Sequence, residues 1–239
     1  MPDITVHWVR HGEIPSHRGD VALTEKGLAR AREWGRSLAG ELSPGETVHF
    51  MYAPTLRTRQ TAEGIHSGIA GYHNSGGLDL HEPAEQYAIR NPDLYVAGQR
   101  VEMVSTPEAL ARQLSDPPLD AKTLSDHPFF REFWASPDRV GYWVRHPDPP
   151  GEDAAAVARR QMMFVMSLLE RPGHAPVRYV LSTHSPVMRA VLLFCAGEDP
   201  GEPEFLESLD LFLSDGGPAV LCFRDVRRVL PPAGSARDR

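Results

Sequence analysis

The sequence predicts an α/β fold. The expected form is a three-layer sandwich: a mostly parallel central sheet, helices on both faces, and a helical and loop insertion capping the carboxyl edge. Three observations predict it. Apolar runs of strand length occur at Ile4 to Val9, Thr47 to Tyr52, Leu78 to Leu80 and Arg178 to Ser182. Amphipathic stretches of helical period alternate with them, and such alternation favours a parallel sheet covered on both sides. The runs end on arginine, histidine or glutamate, which delivers reactive side chains to the sheet edge where open α/β folds bind ligands.

The elements follow in order. The first strand, Ile4 to Val9, stops at Arg10-His11-Gly12, where the glycine lets the backbone turn sharply or approach a ligand. Gly12 to Ala22 is polar and loop-like. Thr24 suits the N-cap of a helix reaching about Leu42, because Leu28, Ala31, Leu38 and Leu42 fall near one face. Pro44-Gly45 ends it. The strand Thr47 to Tyr52 leads into a second helix, from about Thr55 to Ile69. Gly76-Gly77 precede the short strand Leu78 to Leu80.

From Pro83 to Pro150 prolines recur and the apolar residues are largely aromatic. This stretch reads as short helices packed over the sheet edge, since long structureless loops are rare in compact domains. The cluster Phe129 to Trp134 reads as a packed cap. Asp153 to Leu169 is a helix, and Pro186 to Cys195 another, with proline tolerated in its first turn. Leu209 to Leu213 and Ala219 to Phe223 flank Asp215-Gly216-Gly217 as a hairpin. The tail from about 231 is expected to be disordered. The chain is thus read as one domain over 1–239, with a cap insertion at about 83–150.

Composition narrows the function classes. Of the 239 residues 41% are hydrophobic, enough for a core, and the formal net charge is −7. An acidic chain without a dense Lys/Arg block has little electrostatic claim on nucleic acid. No apolar stretch approaches a membrane span, and Met1-Pro2-Asp3 lacks a signal-peptide start. The expected location is cytoplasmic. Cys195 and Cys222 lie in apolar surroundings and read as buried free thiols. The remaining histidines, such as His66, His73 and His174, follow no tight ligand spacing, so no catalytic metal and no cofactor are expected.

Four groups sit at strand ends or on the turns just beyond: Arg10-His11, Arg57 with Arg59, Glu82 and His184. In a parallel sheet they converge at one edge. Phosphoryl transfer uses such a set. A neutral imidazole attacks phosphorus and holds a covalent phosphoryl group. Arginines and a cationic histidine stabilise the equatorial oxygens. A protonated carboxylic acid donates to the leaving alkoxide and then serves as base toward water.

With these motifs the chain resembles the histidine phosphatase superfamily, in its phosphoglycerate mutase-like branch. Val9-Arg10-His11-Gly12-Glu13 matches the opening motif. Leu23-Thr24-Glu25-Lys26-Gly27 matches a Leu-Thr-x-x-Gly signature. Arg57 stands three residues before Gln60-Thr61-Ala62, and Gly151-Glu152-Asp153 resembles the opening of a long helix. Leu181-Ser182-Thr183-His184-Ser185 matches the context of the second histidine. The resemblance implies that His11 is the nucleophile and that Arg10, Arg57 and His184 hold the phosphoryl group, with Glu13, His17 and Ser185 as further phosphate or substrate contacts.

Three departures from the pattern matter. His17 stands where the family often has asparagine; it either contacts substrate or is a solvated loop residue. Ser185 replaces a glycine. The Gly-x-Trp-Glu-Gly that usually follows the family's acid is absent. Glu82, after Leu80-His81, is favoured as the acid by spacing, with Glu85 the alternative. Arg59 reads as a helix-surface residue. Glu152 reads as a pocket residue or as a favourable charge at a helix N-terminus.

The leading expectation is a metal-independent phosphomonoesterase acting on a small phosphorylated metabolite through a phosphohistidine. Two alternatives stand beside it. One is a phosphomutase of the same fold; the insertion offers Arg90, Arg100, Arg112, Arg131, Arg139 and Arg145, but scattered. The other is a catalytically weak module that binds phosphorylated ligands. The expected partner is the small phosphorylated substrate, with no nucleic acid and no membrane; a homodimer is left open.

Overall fold

A computed structural model describes residues 4–16, 19–72, 77–170, 175–214 and 217–230. Strand β1 (Ile4–Arg10) leads through a loop to α1 (Glu25–Ala39), β2 (Thr47–Tyr52) and α2 (Leu56–Tyr72). Two-residue strands β3 (Asp79–Leu80) and β4 (Ala84–Glu85) follow, then a 3-10 turn at Tyr87–Ile89. A small hairpin, β5 (Leu94–Val96) and β6 (Gln99–Val101), opens the cap. Four short helices continue it: α3 (Pro107–Ala111), α4 (Ala121–Asp126), α5 (Pro128–Ala135) and α6 (Arg139–Arg145). The chain then returns to the sheet through α7 (Ala154–Leu168), β7 (Val177–Thr183), α8 (Ser185–Ala196), β8 (Ser208–Leu213), β9 (Ala219–Phe223) and β10 (Val226–Leu230).

The sheet order is β10-β9-β8-β1-β7-β2-β3, with β4 also on β2. β1, β7, β2 and the short strands run parallel, while β8, β9 and β10 form an antiparallel edge. The α/β class and the helices on both faces are as the sequence predicts. β8 and β9 pair as expected for the hairpin, although part of its turn, 215–216, lies outside the described residues. The tail from 231 also lies outside them.

Alternation along each strand builds two cores. Val6 and Trp8 of β1, with Tyr179 and Leu181 of β7, pack with Val157, Val165 and Val187 of α7 and α8. Val9 and Val180 point the other way, to Ala31, Leu38, Ile65 and Ile69 of α1 and α2. Gly35 and Gly68 let these two helices touch. A Cβ on Gly35 would meet the Ile65 carbonyl, and one on Gly68 the Arg32 carbonyl. The cap's aromatic residues Phe129, Phe130 and Phe133 are buried and join the first of these cores. Among the described residues no helix is long and apolar enough to cross a membrane.

Candidate active site

Register brings the two histidines together. Arg10 pairs with Thr183 at the ends of the parallel strands β1 and β7. The next residues, His11 and His184, therefore leave the sheet edge side by side, their ring centroids 5.4 Å apart at an interplanar angle of 67°. The His11 amide donates to the Thr183 carbonyl at 3.0 Å. β2 ends one strand further on, and Arg57 sits in the first turn of α2 just beyond it.

The motif residues hold this edge in place. Gly12 N–H donates to Thr61 Oγ1 at 2.9 Å, and Thr61 in turn donates to the Arg57 carbonyl at 2.7 Å. Gln60 Oε1 accepts from Leu23 N at 2.8 Å. Thr24 caps α1 by accepting from Gly27 N at 2.9 Å.

His11 Nδ1 lies 2.9 Å from the Gly12 carbonyl oxygen. A carbonyl only accepts, so Nδ1 carries the proton and Nε2 of the neutral ring carries the lone pair. His184 is buried, and its Nε2 has no hydrogen-bond partner. Burial first, then Arg57, His11 and Arg10, hold its pKa well below the ordinary histidine value.

Arg10 is buried between the sheet and the segment after α8. Nη1 donates to the Pro203 carbonyl, Nη2 pairs with Glu202 Oε1 at 2.9 Å, and the guanidinium lies 4.4 Å from the Phe205 ring centroid. Its Nε is buried without a partner. Arg57 is largely covered, its side chain 14% exposed, and meets Asp20 Oδ1 at 3.5 Å. Desolvation lowers the pKa of both arginines, and neighbouring carboxylates partly restore it. Arg59 points outward to Glu63, 2.8 Å away, as a helix-surface residue does.

Arg10, His11, Arg57 and His184 line one cavity of about 340 Å³, together with Ser185. Ser185 donates to Glu202 Oε2 at 2.6 Å. The cap covers the far wall. Asn91, Val104, Phe133, Asp138, Arg139 and Glu202 line the cavity too; of these the sequence analysis named only Arg139, as one of the scattered cap arginines of the phosphomutase alternative. One signal was present for Glu202, the acidic Pro/Gly-rich run Glu198 to Glu204. Its route back to Arg10 depends on β8 pairing beside β1, which the sequence does not show.

Of the other sequence-predicted residues, those that are described lie elsewhere. Glu13 pairs with Lys26 at 3.1 Å. His17 lies outside the described residues. Glu82, in the connection between β3 and β4, and Glu85, on β4, are both exposed, and neither lines the cavity. Their registers differ. Glu85 pairs with Tyr52, the last residue of β2, which itself pairs with Ser182 one step before the end of β7. Glu82 lies three residues earlier along the chain. Glu152 pairs with Arg160 at 2.9 Å and accepts from Asp93 N at 2.9 Å, so it fixes the loop that carries Asn91 and does not line the cavity. Among the described residues no group of three or more His, Cys, Asp or Glu side chains is placed to hold a metal ion. Cys195 and Cys222 are half-buried free thiols, and burial pushes Cys195 up to about 11.

Residues 6–74 match the family model described as the histidine phosphatase superfamily, branch 1. Over those residues the sequence signature is that of the histidine phosphatase superfamily, and the fold of the chain matches the α/β histidine phosphatase fold. Solved structures agree at the level of fold. Bacillus stearothermophilus YhfR is 18% identical, with 92% of this chain and 95% of that chain covered at a TM-score of 0.55. A phosphoglycerate mutase from Bacillus anthracis is 14% identical, with 92% of each chain covered at a TM-score of 0.55. A phosphoserine phosphatase from Entamoeba histolytica, in complex with phosphoserine, is 14% identical, with 94% of this chain and 96% of that chain covered at a TM-score of 0.53. No curated protein matches the chain in sequence. The histidine phosphatase fold thus occurs here with both phosphatase and phosphomutase neighbours.

Proposed function

We propose that the chain is a phosphomonoesterase that acts on a small phosphorylated metabolite through a phosphohistidine on His11. One observation carries the reading. Arg10 Nε and His184 Nε2 are buried without hydrogen-bond partners beside His11 and Arg57. Buried polar atoms without partners cost free energy unless a ligand satisfies them. A phosphoryl group supplies anionic oxygens for Arg10, Arg57 and, once it is protonated, His184.

The chemistry follows from the tautomer. His11 Nε2 attacks phosphorus, and the bond from phosphorus to the ester oxygen breaks with its electron pair leaving on that oxygen. A carboxylic acid gives the alkoxide its proton. The resulting carboxylate then takes a proton from water, whose oxygen attacks the phosphohistidine and frees inorganic phosphate and neutral His11. Arg10, Arg57 and protonated His184 stabilise the equatorial oxygens, the role that ions fill in two-metal phosphatases. His184 is neutral in the empty site, and the bound dianion draws a proton onto it by favouring the charged form. For the acid, register supports Glu85 over Glu82, because Glu85 stands on the row of residues next to the strand ends.

The cap arginines favour hydrolysis over mutase chemistry. A mutase must retain a second phosphoryl group, and Arg90, Arg100 and Arg145 are already engaged with Asp93, Glu102 and Asp199, so that of the six cap arginines Arg139 is left to line the cavity. The test is turnover of nitrophenyl phosphate without added metal, with trapping of an acid-labile phosphoprotein. His11→Ala should lose both. Normal turnover in that variant would remove the mechanism.

A further inference from the structure

We infer that the substrate's leaving alcohol is apolar: an alkyl or aryl phosphomonoester rather than a sugar or polyol phosphate. The inference rests on the phosphomonoesterase reading and concerns the part of the cavity that the phosphoryl group leaves open.

The cap wall of the cavity is built mainly from Met103, Val104, Phe133, Pro137 and Val140, with Ser105, Asp138 and Arg139 between them. Its polar groups are largely engaged within the protein. The Val104 carbonyl accepts from Trp134 Nε1 at 3.0 Å. Asp138 Oδ1 accepts from Arg189 Nη1 at 2.7 Å and from Gly141 N at 2.8 Å, and Oδ2 accepts from Arg189 Nη2 at 2.8 Å. Glu202 is held by Arg10 and Ser185. Asn91 donates through Nδ2 to Glu102 at 3.0 Å, and its buried Oδ1 is left as an acceptor for one donor. Arg139 lies exposed. A polyol entering this space would leave water with most of its hydroxyls unmatched, and each unmatched hydroxyl is costly. An apolar body loses nothing and removes the cap wall from water.

The test is a series of n-alkyl phosphates from ethyl to hexyl, with glycerol phosphate and a hexose 6-phosphate as polar comparators of similar leaving-group strength. kcat/KM should rise by about three- to fourfold per added methylene until the chain reaches the mouth, as burial of each methylene implies. The longer alkyl phosphates should exceed the polyol phosphates by at least tenfold. Val104→Asn and Val140→Asn should flatten the slope. Because the slope is a ratio within one protein, a general loss of activity in a variant cancels. A flat series, or a preference for the polyol phosphates, overturns the inference while leaving the phosphomonoesterase reading intact. No turnover of any of these esters or of nitrophenyl phosphate overturns both.

Discussion

Arg189 on α8 and Asp138 at the N-cap of α6 are joined by two parallel hydrogen bonds, Nη1 to Oδ1 at 2.7 Å and Nη2 to Oδ2 at 2.8 Å. Arg189 is fully buried and also binds Asp199 through Nε and Nη2, at 2.8 and 2.6 Å. The clamp ties the cap to the helix whose first residue follows His184. It also holds the segment that leads to Glu202 and Arg10. The guanidinium drives Asp138 down to about 2, so the clamp is fully charged throughout the physiological range.

Gly141 is the weak point of that clamp. A Cβ there would run into the Asp138 carboxylate and Arg189 Nη2. Gly141→Ala should therefore lower Tm by roughly 5 °C or more, the scale expected when a buried charged network is displaced. KM should rise severalfold as the cap shifts. An unchanged Tm and KM would show that the cap does not depend on this contact.

Arg57 should matter far more than Arg59. Arg57 lines the cavity and is largely covered, whereas Arg59 is exposed and paired with Glu63. Lysine cannot reproduce the planar fork of a guanidinium on a phosphoryl group. Arg57→Lys should cost roughly a hundredfold in kcat, the scale for loss of a transition-state donor. Arg59→Lys should change little. The reverse order would displace Arg57 from the site.

These parts of the site were legible because they sit where strands stop. Arg10, His11 and His184 follow apolar runs directly, and a parallel register then places them together without further information. Arg57 was separable from Arg59 by its spacing to Gln60-Thr61-Ala62, whose threonine proves to support Gly12. What was not legible comes from long-range pairing. Glu202 reaches Arg10 because β8 runs antiparallel to β1, and Leu206 turns the chain at φ 66° to bring it there. Asn91 arrives on a loop fixed by Thr183 Oγ1 donating to the Ile89 carbonyl at 2.6 Å. β10 escaped notice because its two arginines suit an exposed edge strand, where charge discourages further pairing, and break the apolar run a reader looks for.

His184 should make stability pH-dependent in a defined window. Its pKa is depressed in the folded protein, so the unfolded chain, with an ordinary value near 6.5, binds the proton more readily. The stabilisation is thus complete above about pH 6.5 and is lost as pH falls toward the folded value. Tm should drop between pH 7 and pH 5. Inorganic phosphate should reduce the drop, because a bound anion favours the imidazolium. His184→Asn should flatten the profile in that window, above the range where Asp93, Asp138 and Asp210, all held low, begin to titrate. A profile that is identical in wild type and variant would mean that His184 is charged in the empty site.

The leaving-group acid should be found at Glu85. The acid must hold a proton beside the bound dianion, which raises a nearby carboxyl pKa. Glu85 is brought by its pairing with Tyr52 to the row next to the strand ends, while Glu82 lies in the preceding connection. A nitrophenolate leaving group hardly needs protonation, whereas an alkoxide does. Glu85→Gln should therefore reduce hydrolysis of an alkyl phosphate by about a hundredfold or more, within the usual range for general acid catalysis, and that of nitrophenyl phosphate much less. Glu82→Gln and Glu202→Gln are the comparisons. If Glu82→Gln alone shows the leaving-group-dependent loss, sequence spacing is the better guide and β4 does not approach the substrate. If Glu202→Gln shows it, the proton comes from the opposite side of the cavity. The bond from Ser185 to Glu202 would then explain why serine stands where the family has glycine.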